Sequence, residues 1–300
     1  MSDITLKEAI HQCADVTGSL QSAYWLTEAV TGYSSTEVVL YPDRRLTAMQ
    51  SAILSEAIER LRGSEPLQYV IGRWSFRGIE LICDSRALIP RPETEIVVEA
   101  AMEKIESAVE RMQGDSLLLA DLGTGSGAIA LSMASEVIER YTGISISLMA
   151  TDISCDALEL ARDNLEFVAR SLPRVTEVTS LMRGSWYDAL PLEARGGFSV
   201  VVSNPPYLSC DQWNGLDTMV KDYEPDIALV AGNSGLEHYR RLIYGAPQWL
   251  LPDGCIVLEI DPSQADIVSG MATEAGFQDV RVKEDMCGRP RVLVACNVFN

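Results

Sequence analysis

Three hundred residues with 47% hydrophobic and 22% charged content allow one large or two ordinary domains with a real core. A formal charge of −19 argues against a broad grip on nucleic acid, which needs clustered Lys and Arg, but leaves an RNA-bound protein open as a partner. Plain solubility accounts for the acidic surface equally well.

The first 63 residues read as helices. Apolar residues recur at helical spacing in Ile4, Leu6 and Ile10 and again in Met49, Ile53, Leu54, Ile58 and Leu61. Gly18, Gly32 and Pro42 punctuate them; Thr5 with Glu8 fits a capping box, and Thr47 fits a cap for the last helix. This small bundle carries no chemistry of its own and reads either as a partner-docking module or as a structural lid. From 64 to 92 the pattern changes: Leu67–Phe76 and Ile79–Ile82 have strand character around an Arg77–Gly78 turn, a hairpin linking two domains. Residues 88–95, Leu-Ile-Pro-Arg-Pro-Glu-Thr-Glu, then lead rigidly into a helix capped by Thr94 or preceded by Glu93. They suit a site edge or a simple acidic decoration of a helix N-terminus.

Residues 93–300 alternate strand and helix patterns. Ser116–Asp121 reads as a buried strand, followed by the glycine loop Leu122–Gly127 and a helix from Ala128. Gly123, Gly125 and Ala128 also satisfy a relaxed dinucleotide fingerprint. Against a pyrophosphate stands Asp121, whose carboxylate is expected to repel phosphate and to suit a cationic or amino-acid-bearing ligand. The next strand, Ile144–Thr151, ends in Asp152, an acid placed either to accept from both ribose hydroxyls of an adenosine or to cap the helix 154–170. An adenosine with an amino-acid tail and a sulfonium charge is S-adenosylmethionine. Val175–Met182 reads as a third strand, after which the Trp186 indole could cover an adenine face or simply pack. Ser199–Ser203 is a fourth and stops at Pro205 and Pro206, which cannot join a sheet ladder. Asn204 therefore sits at the carboxyl end of a strand, with Tyr207 beside it. A directed side-chain amide, a fixed Pro205 carbonyl and an aromatic ring would clamp a planar NH2 group; a proline-rich turn after a core strand is the simpler alternative. The loop 208–235 is long enough to suggest function or mobility. Leu236–Leu251 reads helical, Cys255–Ile260 as a fifth strand and Ser263–Ala275 as helix. Val280–Lys283 and Arg291–Val298 read as a closing antiparallel pair, completing seven strands.

Seven scattered cysteines, nowhere spaced C-x-x-C, with no secretory segment at the N-terminus, read as reduced thiols of a cytoplasmic protein; Cys255 and Cys296 read as small core residues. Two histidines, His11 and His238, give little support to a metal site or a Ser-His-Asp triad. No apolar run approaches the ~20 residues of a membrane span.

With the glycine loop, the acid and the Asn-Pro-Pro-Tyr turn in view, nearly the whole chain resembles the peptide-chain release factor glutamine methyltransferases, protein-(glutamine-N5) methyltransferases. The likeness runs through residues 65–69, Gly72, Phe76, 88–95, 121–131, 150–152 and 203–207. Asn-Pro-Pro-Tyr alone is shared with DNA adenine-N6 and ribosomal-protein glutamine methyltransferases; the Ile-Pro-Arg-Pro-Glu-Thr-Glu block favours the release factor branch. The resemblance implies a seven-stranded Rossmann-like class I methyltransferase domain (93–300), preceded by a helical N-terminal domain (1–63) and a β-hairpin linker (64–92). It implies methylation, in the cytoplasm, of the glutamine in a release factor's Gly-Gly-Gln motif, with S-adenosylmethionine as donor and S-adenosylhomocysteine as product, and so a role in translation termination. It assigns cofactor binding to Gly123, Thr124, Gly125, Ser126, Gly127, Asp152, Trp186 and Asn204. The glutamine pocket falls to Asn204, Pro205, Pro206 and Tyr207, with Asn204, Pro205 and Tyr207 as the catalytic turn; no metal, direct nucleic acid contact or membrane is implied. Two departures stand out: Asp261 where the family has Gly after Glu-Ile, and Ala231–Gly232 where it has paired glycines. Neither lies in a contact that the resemblance assigns, so they bear on local loop shape more than on activity. The rival readings are a DNA adenine-N6 methyltransferase, disfavoured by the charge and by the absence of a visible basic target-recognition domain; a binding module on an inactive fold, disfavoured by the intact loop, Asp152 and Asn204; and a dinucleotide dehydrogenase, kept open only by Ala128.

Overall fold

Alternation of buried side chains along the strands determines the architecture of the larger unit. A computed structural model describes residues 4–111, 116–215 and 218–297. In β-strands successive side chains point to opposite faces, so a strand buried on both faces feeds two cores. Leu117 and Leu119 enter one hydrophobic cluster and Ala120 and Leu122 the other; Val200 and Val202 oppose Val201, and Cys255 and Val257 oppose Ile256 and Leu258. Helices cover both faces, as a parallel sheet requires.

The chain divides into two compact units, one of residues 1–74, 83–85 and 217–223 and one of the remainder. In the first, α1 (Leu6–Thr17), α2 (Leu20–Thr31), α3 (Ser35–Leu40), α4 (Ala48–Arg62) and α5 (Leu67–Ile71) pack around Leu6, Leu26, Leu54 and Ile58. Both expected caps are present: Thr5 forms a capping box with Glu8, and Thr47 with Gln50. The Tyr223 hydroxyl, on a helix far along the chain, donates to the Gly63 carbonyl of this unit (2.7 Å). The expected strand from Leu67 is corrected. Residues 67–71 are α5, ended by Gly72 in the left-handed conformation, and only Arg73–Phe76 (β1) is extended. β-branched content in a five-residue run does not separate a strand from one helical turn capped by glycine. β1 pairs with β2 (Ile79–Ile82) across Arg77 and Gly78, whose φ values of 44° and 81° are those of a two-residue hairpin turn.

The second unit runs α6 (Glu95–Arg111), β3 (Ser116–Leu122), α7 (Ala128–Arg140), β4 (Ser145–Asp152), α8 (Cys155–Ala169), α9 (Val175–Val178), β5 (Thr179–Arg183) and β6 (Phe198–Ser203). After these come β7 (Leu208–Ser209), α10 (Cys210–Asn214), α11 (Thr218–Tyr223, which belongs to the first unit), β8 (Val230–Gly232), α12 (Glu237–Gly245), β9 (Leu250–Glu259), α13 (Ala265–Glu274), β10 (Asp279–Glu284) and β11 (Pro290–Cys296). The seven-stranded sheet has the order β10-β11-β9-β6-β3-β4-β5, parallel except for β11, which is antiparallel to both β9 and β10. The expected seven strands and the closing antiparallel pair are all there. The third begins later than expected, because Val175–Val178 forms a helical turn before Thr179. The helix expected over 236–251 ends at Gly245, and β9 starts at Leu250 rather than Cys255.

One further correction concerns the cysteines. Cys255 and Cys296 lie opposite each other in the β9–β11 register and are joined by a disulfide, whereas Cys13, Cys83, Cys155, Cys210 and Cys287 are not disulfide-bonded. Sequence spacing cannot show which residues of two antiparallel strands face each other; their register can. Among the described residues, no helix is long and apolar enough to cross a membrane.

Candidate active site

The chain passes from β3 through β4 to β5 on one side of β3, then returns to β6 on the other. This makes the gap between β3 and β6 the point where the strand order reverses, and ligands bind at the carboxyl ends of strands at such a point. A cavity of about 400 Å3 opens there, within the range of small-molecule sites.

The glycine loop forms its floor. Gly123, Gly125 and Gly127 have φ values of 74°, 56° and 84°, a region that residues with a Cβ rarely enter. The close approach also needs glycine: a Cβ on Gly123 would lie 2.9 Å from Trp186 Cζ3. Asp121 ties the loop down from beneath. Its Oδ2 accepts from the Thr124 hydroxyl (2.6 Å) and the Ala130 amide (3.2 Å), while Oδ1 has no partner. Burial pushes this carboxyl up to about 7, against those two hydrogen bonds. Asp121 thus lies under the loop, as expected, but its suitability for a cationic ligand is not used by direct contact: the residue is 0% exposed and does not line the cavity, because its carboxylate is turned onto Thr124 and Ala130.

Asp152 does line the cavity. Its Oδ2 accepts from the Gly125 amide and its Oδ1 from the Ser154 amide, both at 2.9 Å. The N-cap of α8 is Ser154, whose hydroxyl accepts from the Ala157 amide, so Asp152 is not the cap. A carboxylate accepts about four hydrogen bonds, which leaves lone pairs for two ligand hydroxyls. Burial raises its pKa, and the backbone donors oppose the shift.

Trp186, at φ 52°, adopts a conformation unusual for so bulky a side chain. Its ring lies 5.1 Å from that of His238, and both line the cavity. The far wall comes from the long 208–235 connection, through Pro225, Ile227, Ala228 and Val230, so that connection belongs to the site. It is held by Glu224, which accepts from Arg91 at 2.6 and 2.8 Å.

Thr124, Ser126, Asn204 and Pro206 are likewise on the cavity wall, whereas Gly127, Pro205 and Tyr207 are not. Gly127 sits at the start of α7, Pro205 is buried, and the Tyr207 carbonyl accepts from Gln264 Nε2 (3.2 Å). Burial first, and then the negative charge of Glu259, pushes the Tyr207 phenol up to about 12. Asn204 Nδ2 donates to the Thr94 hydroxyl oxygen (3.2 Å), and the Thr94 hydroxyl donates to Glu259 Oε2 (2.6 Å). Thr94 is thus no helix cap: it ends a 3-10 turn, and its hydroxyl faces another strand's acid. Sequence reasoning missed Glu259, 165 positions from Thr94, although the adjacent Ile-Pro-Arg-Pro-Glu-Thr-Glu block marked Thr94's neighbourhood as a site edge.

A doubly wound sheet with a glycine loop after its first strand, an acid ending the second and Asn-Pro-Pro after the fourth defines a class I methyltransferase. Residues 103–221 match the methyltransferase small domain family, and residues 5–72 match the PrmC N-terminal domain. The chain belongs to the release factor glutamine methyltransferase family. It is 34% identical over 282 residues to the release factor glutamine methyltransferase of Agrobacterium fabrum, covering 94% of this chain and 92% of that one. It is 36% identical over 255 residues to that of Lactococcus lactis, covering 83% and 84%. The N-terminal domain of human METTL16 in complex with SAH shares the fold alone, with a TM-score of 0.51 at 14% identity over 93% of this chain and 94% of that domain.

Proposed function

We propose that this protein transfers a methyl group from S-adenosylmethionine to the side-chain amide nitrogen of the glutamine in a release factor's Gly-Gly-Gln motif, in the cytoplasm, where translation terminates. The observation that carries this reading is Asn204, held at a strand end on the wall of the same cavity as the glycine loop and Asp152.

The cavity fits the cofactor chemically. Asp152 keeps lone pairs for ribose hydroxyls, the glycine loop lets a ligand approach the backbone, and Trp186 and Ile227 offer apolar surface to a base. When bound, S-adenosylmethionine supplies the methyl group as a sulfonium electrophile.

The chain's own residues must make a poor nucleophile reactive. An amide lone pair is delocalised into its carbonyl, the resonance that also flattens peptide bonds. Asn204 Oδ1 and the Pro205 carbonyl would accept the two hydrogens of the glutamine NH2, returning electron density to nitrogen and aiming its lone pair. Tyr207, off the cavity wall itself, would complete the pocket around the amide. Positioning of this kind can contribute ~7–11 kcal/mol to lowering a barrier. The amide held by these acceptors would take the methyl group as the sulfonium left as a thioether, and would then give up one N–H proton to water. The methylated nitrogen is acidic enough that no strong general base is needed.

The test is mass spectrometry of a purified release factor incubated with this protein and S-adenosylmethionine. A single added methyl on the Gly-Gly-Gln glutamine is expected; an unmodified glutamine would overturn the reading.

A further inference from the structure

The hydrogen bonds running from Glu259 to Asn204 have a direction. The carboxylate of Glu259, 2% exposed at the end of β9, accepts the one proton of the Thr94 hydroxyl (2.6 Å). With that proton committed, Thr94 Oγ1 can only accept, and it accepts from Asn204 Nδ2 (3.2 Å). An asparagine amide has nearly the same shape whichever way it is turned, so packing alone does not choose its orientation and hydrogen-bond partners must. We propose that Glu259, acting through Thr94, sets the polarity of the Asn204 amide so that its oxygen rather than its nitrogen faces the substrate NH2. This rests on the reading of Asn204 as the substrate clamp, and it makes Glu259 and Thr94 positioning residues.

Protonation reverses the direction. A neutral Glu259 can donate to Thr94 Oγ1, which frees the Thr94 proton to donate to Asn204 Oδ1. The amide then turns its NH2 toward the cavity, where it meets the substrate NH2 donor to donor. The groups facing Glu259 pull both ways. Burial raises its carboxyl to about 7; the Thr94 hydrogen bond, Arg291 and Arg91 favour the ionised form, and Glu93 opposes it. The Tyr207 and Tyr239 phenols, both pushed upward partly by Glu259 itself, stay neutral. The two orientations therefore exchange near neutral pH.

The proposal is tested on the full-length 15N-labelled protein by following the Asn204 side-chain amide, assigned by its loss in N204D. In the wild type this resonance should move with pH through one titration near 7, and in E259Q it should not. In release factor methylation, T94V should lower kcat by about tenfold or more with a KM for the release factor changed less than about threefold, and T94S should restore most of that loss. A wild-type amide that does not move with pH, a titration that persists in E259Q, or a T94V kcat within about threefold of wild type would each overturn the proposal. If the wild type leaves the release factor unmethylated, the functional reading fails by itself, because the amide titration reports the hydrogen-bond polarity without any substrate.

Discussion

At the scale of single residues, the site separates groups that act from groups that hold. Asn204→Ala removes one directed acceptor from a preorganised turn whose backbone Pro205 and Pro206 still fix. It is expected to cost ~2.7–4 kcal/mol of transition-state stabilisation, by analogy with oxyanion-hole donors, and to fall mainly on kcat. Single-turnover methylation beside a thermal melt checks this; near-normal turnover with a lowered melting temperature would show that the turn is only structural. Asp152→Ala should do two things. Losing a charged acceptor for the ribose should weaken S-adenosylmethionine binding by ~1.5–3 kcal/mol. Because Gly125 and Ser154 lose their shared acceptor, the melting temperature should fall as well. Calorimetry reads the first effect, and an unchanged affinity would leave Asp152 as a loop anchor alone.

Among elements, the segment from Glu224 to Val230 is tied to the rest of its unit at one end by Glu224, which accepts from Arg91 and from the Ile89 amide, and at the other by the pairing of Val230 with Leu208. Glu224 is buried, while the side chain of its partner Arg91 is 37% exposed. Removing one partner of a fully buried pair costs about 3–5 kcal/mol; the exposure of Arg91 places this pair below that range. Arg91→Ala should therefore lower the urea midpoint and, more specifically, speed hydrogen exchange in residues 225–230 while leaving the β3 and β4 amides protected. The same variant should bind S-adenosylmethionine less tightly, since Pro225, Ile227 and Val230 line the cavity. Equal exchange in variant and wild type would show that the segment is held by its own packing.

For the molecule as a whole, two of the buried carboxyls of the second unit, unlike the ion-paired Glu224, are shifted far upward. Asp121 and Glu259 are both raised to about 7, from 3.8 and 4.5, chiefly by burial. A carboxyl whose folded pKa lies above its unfolded value binds its proton more tightly when folded. Its contribution to stability is therefore complete below the unfolded pKa and is lost as pH rises through the folded one. Both groups should thus destabilise the protein progressively from about pH 4 to pH 7, by an amount on the order of a few kcal/mol. The double variant D121N/E259Q removes both titrations. Denaturant melts across that range should show wild-type stability falling relative to the variant as pH rises; a constant difference would mean that neither carboxyl changes ionisation on folding.

Local patterns were enough to reveal the order of elements and the glycine-loop, Asp152 and Asn204 parts of the cavity wall, but not His238 or the stretch from Pro225 to Val230. Gly123 to Ser126, Asp152, Trp186 and Asn204 were all legible, because a glycine loop after a buried strand, an acid at a strand end and a double proline are short-range constraints that the chain cannot satisfy in many ways. The seven strands were legible for the same reason, since apolar β-branched runs separated by helical periodicity admit few alternatives. What lay beyond the sequence was every pairing between distant positions. Whether Asp121 faces a ligand or the sheet interior, whether Cys255 meets Cys296 and whether Thr94 caps a helix or bonds Glu259 each depend on strand register and on which ends of the sheet are brought together. Burial follows from that packing too, and burial is what lifts Glu259 and Asp121 toward neutrality. Residue identity and spacing determined which chemical groups the chain possesses; only the tertiary structure decided which of them share a low-dielectric interior, because hydrogen bonds and desolvation act through space and not along the chain.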